Sequence, residues 1–136
     1  MTETERAHGI GFLTAGAMAE VWERVRERLP EEGVFDAHAH IGTDVDGRSM
    51  SAEGMRERMR AAGVRRSVVF PLNDPNARED FSGPNDVVWA AYEAHPGFFV
   101  PFFRLNPHHA YEEEFERCVR RGFAGLKLHP VSQDFE

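Results

Sequence analysis

Three residues that can bind a metal ion alternate along one short stretch of the chain. The sequence GVFDAHAHIGTD, residues 33–44, places Asp36, His38 and His40 two positions apart, with small or apolar residues between them. In an extended strand, alternate side chains share a face at a separation of about 6.5 to 7 Å. Two imidazoles and a carboxylate on one face predict a divalent metal site, most simply for zinc, with manganese or iron as alternatives.

Two interpretations of this stretch remain open from the residues alone. In the first, His38 and His40 bind the metal, and Asp36 either binds it or orients a ligand imidazole without touching the metal. In the second, the histidines are hydrogen-bonded residues at a strand end and hold no metal. The carboxylate and the strict alternation favour the metal site.

A second stretch carries polar residues in a similar arrangement. In GFAGLKLHP, residues 122–130, Lys127 and His129 share one strand face and two leucines share the other. Lysine is almost never buried without a partner, so Lys127 is a candidate to bind an anionic substrate, act as a base or bridge metals after carboxylation. It could instead extend its ammonium group to solvent. His129 is a candidate metal ligand or substrate contact, or else part of a capped strand exit.

Other polar residues have weaker support as site residues. Arg104 and Asn106 end a predicted strand and are candidates for substrate contact. His108 and His109 follow directly, but adjacent loop residues rarely share the coordination geometry of one ion, which favours a helix start instead. His95 is predicted to end a helix, where its protonated form would suit the helix dipole.

The elements that must position these residues follow a repeated order. Four glycines each precede an apolar run of strand length, at 34–41, 64–72, 98–105 and 123–129. Helical patterns lie between them, at 51–62, 85–95 and 111–121, and an amphipathic helix up to Leu29, stopped by Pro30, precedes them all. Strands that alternate with helices predict βα units and a parallel sheet. The longest loop, 73–84, falls on the side of such a sheet that carries function.

The fold class predicted from this order is α/β, with about four βα units after an N-terminal helix. A closed (β/α)₈ barrel needs eight strands and roughly 250 residues. The chain is therefore expected to form either a small open sheet or a partial TIM barrel. No helix is expected after the fourth strand. The predicted division is a tail with an amphipathic helix at 1–32 and a half-barrel at 33–136.

Composition limits the classes of partner. The length of 136 residues, with 41% apolar and 29% charged residues, is ordinary for one globular domain. The net charge of −7 argues against nucleic acid and anionic membranes, which need clustered positive charge. The expected partner is a small-molecule substrate or another protein. Cys118 is the only cysteine, predicted to be packing, and no long apolar stretch is present, so a cytoplasmic protein is expected.

Four segments together carry a family likeness. FDAHAHIG, MRAAGVRRSVVFPLND, PNDVVWAAYEAHPGFFVPFFRLNP and VRRGFAGLKLHPVSQDF resemble the amidohydrolase superfamily, in particular the amidohydrolase-related branch that includes decarboxylases of the aminocarboxymuconate-semialdehyde type. The resemblance implies a (β/α)₈ barrel with a metal centre at the C-terminal mouth of its strands and His38 and His40 as ligands. It also implies a metal-activated water as nucleophile. In binuclear relatives a lysine on the strand of Lys127 is carboxylated, but this branch is commonly mononuclear.

The likeness covers only the first half of such an enzyme. The family's further ligands are histidines on strands five and six and an aspartate on strand eight, which have no counterpart here. The expected function is a metal-dependent hydrolase that attacks a carbonyl-type substrate, incomplete as this chain. The alternatives are a metal-dependent decarboxylase, with Lys127 or Arg104 at the substrate carboxylate, and a non-catalytic half-barrel. Such a half-barrel would form a homo-oligomer or pair with a complementing second half.

Overall fold

The computed structural model describes residues 15–29, 31–74 and 80–135. The chain divides into two compact units, Met1–Glu31 and Glu32–Glu136. The first unit contains helix α1 (Ala15–Arg26), and the predicted stop at Pro30 lies outside the described residues. In the described ranges, no helix combines the length and apolar character needed to cross a membrane.

The second unit is built on a five-stranded, mostly parallel sheet with the strand order β2-β1-β3-β4-β5. The strands are β1 (Val34–Thr43), β2 (Ser49–Met50), β3 (Val64–Pro71), β4 (Phe99–Arg104) and β5 (Gly125–Lys127). β1, β3, β4 and β5 are parallel neighbours, which confirms the predicted α/β class. β2 pairs antiparallel with the end of β1 and was not predicted, because two residues carry no hydrophobic period.

Three helices connect the parallel strands: α2 (Ala52–Ala61), α3 (Ser82–Ala94) and α4 (Glu112–Arg121). Ser51 caps α2, because its Oγ accepts the Gly54 N–H at 3.1 Å. Gly122 ends α4 with a φ of 95°, a left-handed conformation that glycine adopts without a steric penalty. α3 begins three residues before the predicted start at Asn85.

The end of the chain differs from the sequence prediction. The fourth predicted strand is reduced to the three residues of β5, and a one-turn helix, α5 (Pro130–Gln133), follows it. The expectation of no helix after that strand is therefore wrong. α5 forms because Nδ1 of His129 accepts the Ser132 N–H at 3.1 Å, and Pro130 suits the first helical turn.

The helices pack on one face of the sheet. The core there joins Ile41, Val69 and Phe99 of the strands to Met55 of α2 and Val88 of α3. A second cluster on the same face contains Phe103, Leu105 and Cys118, so the predicted packing role of Cys118 is confirmed. Phe35, one of the apolar residues that alternate with the polar ones in β1, is 54% exposed. The opposite face carries His40, Phe70 and Phe102.

The strict alternation predicted for β1 does not hold. Asp36 pairs with Ser67 and Ala39 pairs with Val69, so β1 has one residue more than β3 between these two pairs. Such an extra residue is a β-bulge, and it changes which side chains share a face. Asp36 lies on the face of Ser67, while His40 lies on the opposite face. The prediction that one face carries all three polar side chains is therefore wrong for Asp36.

Candidate metal centre

His38 and His40 are brought together in the C-terminal half of β1. Their Nε2 atoms lie 3.0 Å apart, and their ring centroids are separated by 5.0 Å. Two imidazole nitrogens that bind one zinc ion at roughly 2.0 to 2.1 Å are separated by roughly 2.9 to 3.4 Å, for bond angles between square and tetrahedral. The pair therefore fits two positions in the coordination sphere of one divalent ion.

A backbone contact fixes the orientation of the His40 ring. Its Nδ1 lies 3.3 Å from the carbonyl oxygen of Pro71, so a proton on Nδ1 is donated there and Nε2 keeps a lone pair. Ligand histidines in metal sites commonly make this second contact. Burial lowers the pKa of His40, the charges of His38, Arg104 and Lys127 lower it further, and the Pro71 carbonyl opposes them. The neutral form thus favoured is the form that binds metal.

Asp36 contacts the strand backbone and a neighbouring strand. Its Oδ1 accepts the backbone N–H of His38 at 3.1 Å, and its Oδ2 accepts the hydroxyl of Ser67 at 3.1 Å. Ser67 is fully buried. Asp36 therefore stabilises the bulged backbone from which the His38 side chain projects, rather than orienting an imidazole directly.

Phe70 of β3 connects the histidine pair to Lys127. Its ring centroid lies 4.9 Å from that of His38 and 5.4 Å from that of His40. The Nζ atom of Lys127 lies 5.4 Å from the same centroid, a cation–π geometry. No pattern in the sequence marks Phe70 as a site residue, because its place opposite His40 depends on strand register.

His129 lies at the N-terminus of α5. Besides the cap contact to Ser132, its backbone N–H donates to Oε1 of Gln133 at 2.7 Å. The described contacts of His129 are therefore those of a helix cap. The structure brings Lys127 to the aromatic ring beside the histidine pair and places His129 in the turn that follows.

Arg104, at the end of β4, is a buried cation close to this site. Its side chain is 4% exposed, and its Cζ lies 5.0 Å from the ring centroid of Phe81. Within the part of the chain that the structure describes, its Nε and Nη2 have no hydrogen-bond partner. Burial lowers the pKa of this guanidinium and the Asp44 carboxylate raises it, but arginine stays charged in proteins.

Asn85 of α3 holds the backbone of Arg104. Its Nδ2 donates to the Arg104 carbonyl at 2.9 Å, and its Oδ1 accepts the Arg104 N–H at 2.8 Å. The same Nδ2 donates to Oε1 of Glu114 at 2.7 Å, and Arg117 donates to Oε2 of that carboxylate at 2.6 Å. Helices α3 and α4 thus fix the end of β4. The sequence pattern indicated only that a helix starts at Asn85 and did not predict these contacts.

A cavity of about 580 Å³ lies at the C-terminal ends of the parallel strands. Its lining includes Asn73 after β3, Phe81 before α3, and Asn106 and His108 after β4. Ligands of α/β folds bind at this edge of the sheet. Asn106, a candidate for substrate contact, therefore borders the cavity. In the predicted functional loop 73–84, residues 75–79 lie outside the described residues.

Two imidazoles alone do not complete the coordination of a divalent ion. Across residues 15–29, 31–74 and 80–135, no group of three His, Cys, Asp or Glu side chains is arranged to hold a metal ion. Two imidazoles, a lysine and a buried arginine are present near the C-terminal edge of the sheet. Comparison of this chain with protein-family models, with curated proteins and with solved structures found no match.

Proposed function

We propose that this chain is part of a metal-dependent hydrolase of the amidohydrolase type, with His38 and His40 as two of its metal ligands. The observation that carries the proposal is the 3.0 Å separation of their Nε2 atoms near the C-terminal end of a parallel strand. The contact of His40 with the Pro71 carbonyl supports it, because that contact leaves Nε2 available.

We infer that the sheet is a segment of a (β/α)₈ barrel. Its parallel strands are neighbours in chain order, and the helices that connect them, α2, α3 and α4, all pack on the same face. A doubly wound sheet carries helices on both faces, whereas a barrel keeps one face for its interior. The face opposite the helices carries His40, Phe70 and Phe102, as expected for a barrel interior.

The chain's own residues would position a substrate beside the histidine pair. A divalent metal held by His38 and His40 would act as a Lewis acid, able to activate water and polarise a carbonyl group. Lys127, whose ammonium lies over the Phe70 ring, is placed to attract an anionic part of the substrate. Phe70 contacts both imidazole rings.

The remaining ligands would come from a complementing set of strands or from a second copy of the chain. Within the described residues, β5 pairs with β4 along one edge and with no strand along the other. Leu126 and Leu128 near that edge are 36% and 41% exposed. Unpaired strand edges readily join other strands. Light scattering of the purified chain tests for the homo-oligomer, and co-purification with a candidate second half tests for the complement.

Metal-dependent decarboxylation is the second candidate. The observation that favours it is the pairing of two cationic residues, Arg104 and Lys127, on neighbouring strands, where they would attract a substrate carboxylate. Release of labelled carbon dioxide from ¹³C-carboxyl substrates separates this reaction from hydrolysis.

Hydrolysis is tested on a panel of esters, amides and lactones with the chain loaded with zinc or manganese. The readout is proton release for esters and lactones and amine release for amides. In the assembly that supplies the remaining ligands, we expect turnover by the wild type and by His109→Ala, which removes an exposed histidine outside both the pair and the lining of the cavity. His38→Ala should lose turnover, because the site loses one of the two ligands that this chain contributes. Equal rates for wild type and His38→Ala would contradict the proposal.

A further inference from the structure

We propose that Arg104 binds a carboxylate group of the substrate through two parallel hydrogen bonds from Nε and Nη2. This inference rests on the proposed function, because it names the substrate class of the same site. It assigns to Arg104 a role in substrate specificity.

The inference starts from one unpaired edge of a buried guanidinium. Nε–H and the adjacent Nη2–H point from the same side of the planar group, and their spacing matches the two oxygens of a carboxylate. Both nitrogens are buried and lack a hydrogen-bond partner within the described residues. The whole residue is only 4% exposed, so water does not readily replace the missing partner. Buried donors without partners are rare and destabilise the fold. A bound carboxylate would satisfy both donors at once.

The chain holds Arg104 firmly at both ends. Asn85 fixes its backbone through two hydrogen bonds, and Phe81 lies against its guanidinium. Phe81 adopts a φ of 65°, in the left-handed region that bulky side chains rarely occupy. The same ring lines the cavity at the strand ends. A ligand in the cavity would therefore reach the guanidinium past the ring of Phe81.

Charge favours a carboxylate over a phosphate at this place. The chain has a net charge of −7, and Asp44 is close enough to Arg104 to act on it electrostatically. A singly charged carboxylate meets less repulsion there than a phosphate dianion. Arg104 pairs with Lys127 in the sheet, and the Lys127 ammonium lies over the Phe70 ring that contacts both imidazoles, so a carboxylate at Arg104 would lie close to the histidine pair.

The test uses the metal-free full chain and benzoate as probe, with benzamide as its neutral isostere. The readout is the ¹H–¹⁵N signal of the Arg104 Nε–H group, assigned by its absence in Arg104→Lys. We expect benzoate to move this signal downfield with saturation, benzamide to leave it unmoved, and inorganic phosphate to bind more weakly. Arg104→Lys keeps the charge but loses the paired donors, and should weaken benzoate binding about tenfold. The metal-free format separates this result from metal binding.

A second variant tests the unpaired state of the guanidinium. Arg104→Met should raise the Tm in the absence of ligand, because it removes buried donors that have no partner. Arg120→Met, which removes an exposed arginine paired with Glu116, should leave the Tm close to that of the wild type. A lower Tm for Arg104→Met would mean that the contacts of the guanidinium within the chain outweigh the cost of its unpaired donors, and would overturn the proposal.

Other results would also overturn it. They are an unmoved Nε–H signal with benzoate, an equal shift with benzamide, binding of phosphate at least as tight as that of benzoate, and unchanged affinity in Arg104→Lys. A further contrary result concerns Asp44, the nearby carboxylate. If Asp44→Asn alone shifted the Arg104 signal upfield and benzoate moved it in neither protein, Asp44 would be the partner.

Discussion

The Nε2 atoms of His38 and His40 lie 3.0 Å apart, within hydrogen-bonding distance. Because Nδ1 of His40 faces the Pro71 carbonyl, its proton resides there, and Nε2 of His40 accepts a hydrogen bond from His38 in the metal-free protein. Protonation of both rings would replace this bond with the repulsion of two adjacent cations. The two rings are therefore stable side by side when one proton lies between their Nε2 atoms, or when both Nε2 atoms bind one metal ion.

We predict that the metal-free protein loses stability as the pH falls below about 6.5. The pKa of His40 in the folded chain is lower than the ordinary value of 6.5, chiefly because of burial. The unfolded chain then binds more protons than the folded chain in this range, so protonation favours unfolding. The stabilisation is fully present above pH 6.5 and is lost as the pH falls through the folded pKa.

Urea denaturation of wild type and His40→Gln at several pH values measures this effect. The free energy of unfolding of the wild type should decline more steeply below pH 6.5 than that of the variant. The other titratable groups remain in both proteins, so their contributions to the pH dependence cancel when the two proteins are compared. If the free energy of unfolding depended on pH in the same way in both proteins, the predicted contribution of His40 would be absent.

We expect Asn85→Ala to destabilise the fold by about 3 kcal/mol. The change removes the partners of the Arg104 N–H and carbonyl and of the buried Glu114 carboxylate. Glu116→Ala is the control, because it breaks an exposed pair with Arg120 and should have little effect. Chemical denaturation compares the two variants. Equal stability of both would mean that the contacts of Asn85 contribute nothing net.

We predict that Gly125→Ala disturbs the face that carries the histidine pair. A Cβ at this position would lie 2.6 Å from Cζ and 2.9 Å from Cδ2 of Phe102. The Phe102 ring packs edge-on against Phe70, with centroids 5.4 Å apart, and Phe70 supports both imidazoles. We expect a loss of about 1 to 3 kcal/mol in the free energy of unfolding, together with weaker zinc binding.

Two further variants separate this clash from the general effect of alanine. Gly83→Ala lies in α3, where an added Cβ meets no atom within 4 Å, and should not destabilise the fold. The double variant Phe102→Leu with Gly125→Ala should lose less stability than the sum of the losses of the two single variants, as measured in a double-mutant cycle. Additive effects would mean that Gly125 and Phe102 do not interact.

Local patterns in the sequence predicted the parallel strands and the helices between them. Hydrophobic runs after glycines located β1, β3 and β4, and Gly122 marked the end of α4 as expected. These features depend on residues close in sequence. β5 and α5 were less predictable, because α5 forms through cap contacts of His129 that a strand pattern does not indicate.

The candidate site was only partly predictable for a related reason. His38 and His40 were recognisable from their types and spacing, but the bulge that turns Asp36 towards Ser67 depends on pairing with β3. The place of Phe70 beneath the pair and the contacts of Asn85 with Arg104 join strands and helices distant in sequence. Such relationships follow from register and packing, which composition and periodicity do not specify.

The metal site is tested most directly by the zinc content of the purified chain after loading and removal of excess metal, measured by elemental analysis. We expect the wild type to retain stoichiometric zinc and the double variant His38→Ala with His40→Ala to retain none, with helical circular dichroism near wild type. His108→Ala with His109→Ala also removes two histidines and should retain zinc. Wild-type zinc content in the His38 and His40 double variant, or a zinc-free wild type, would contradict the assignment of this pair as a metal site.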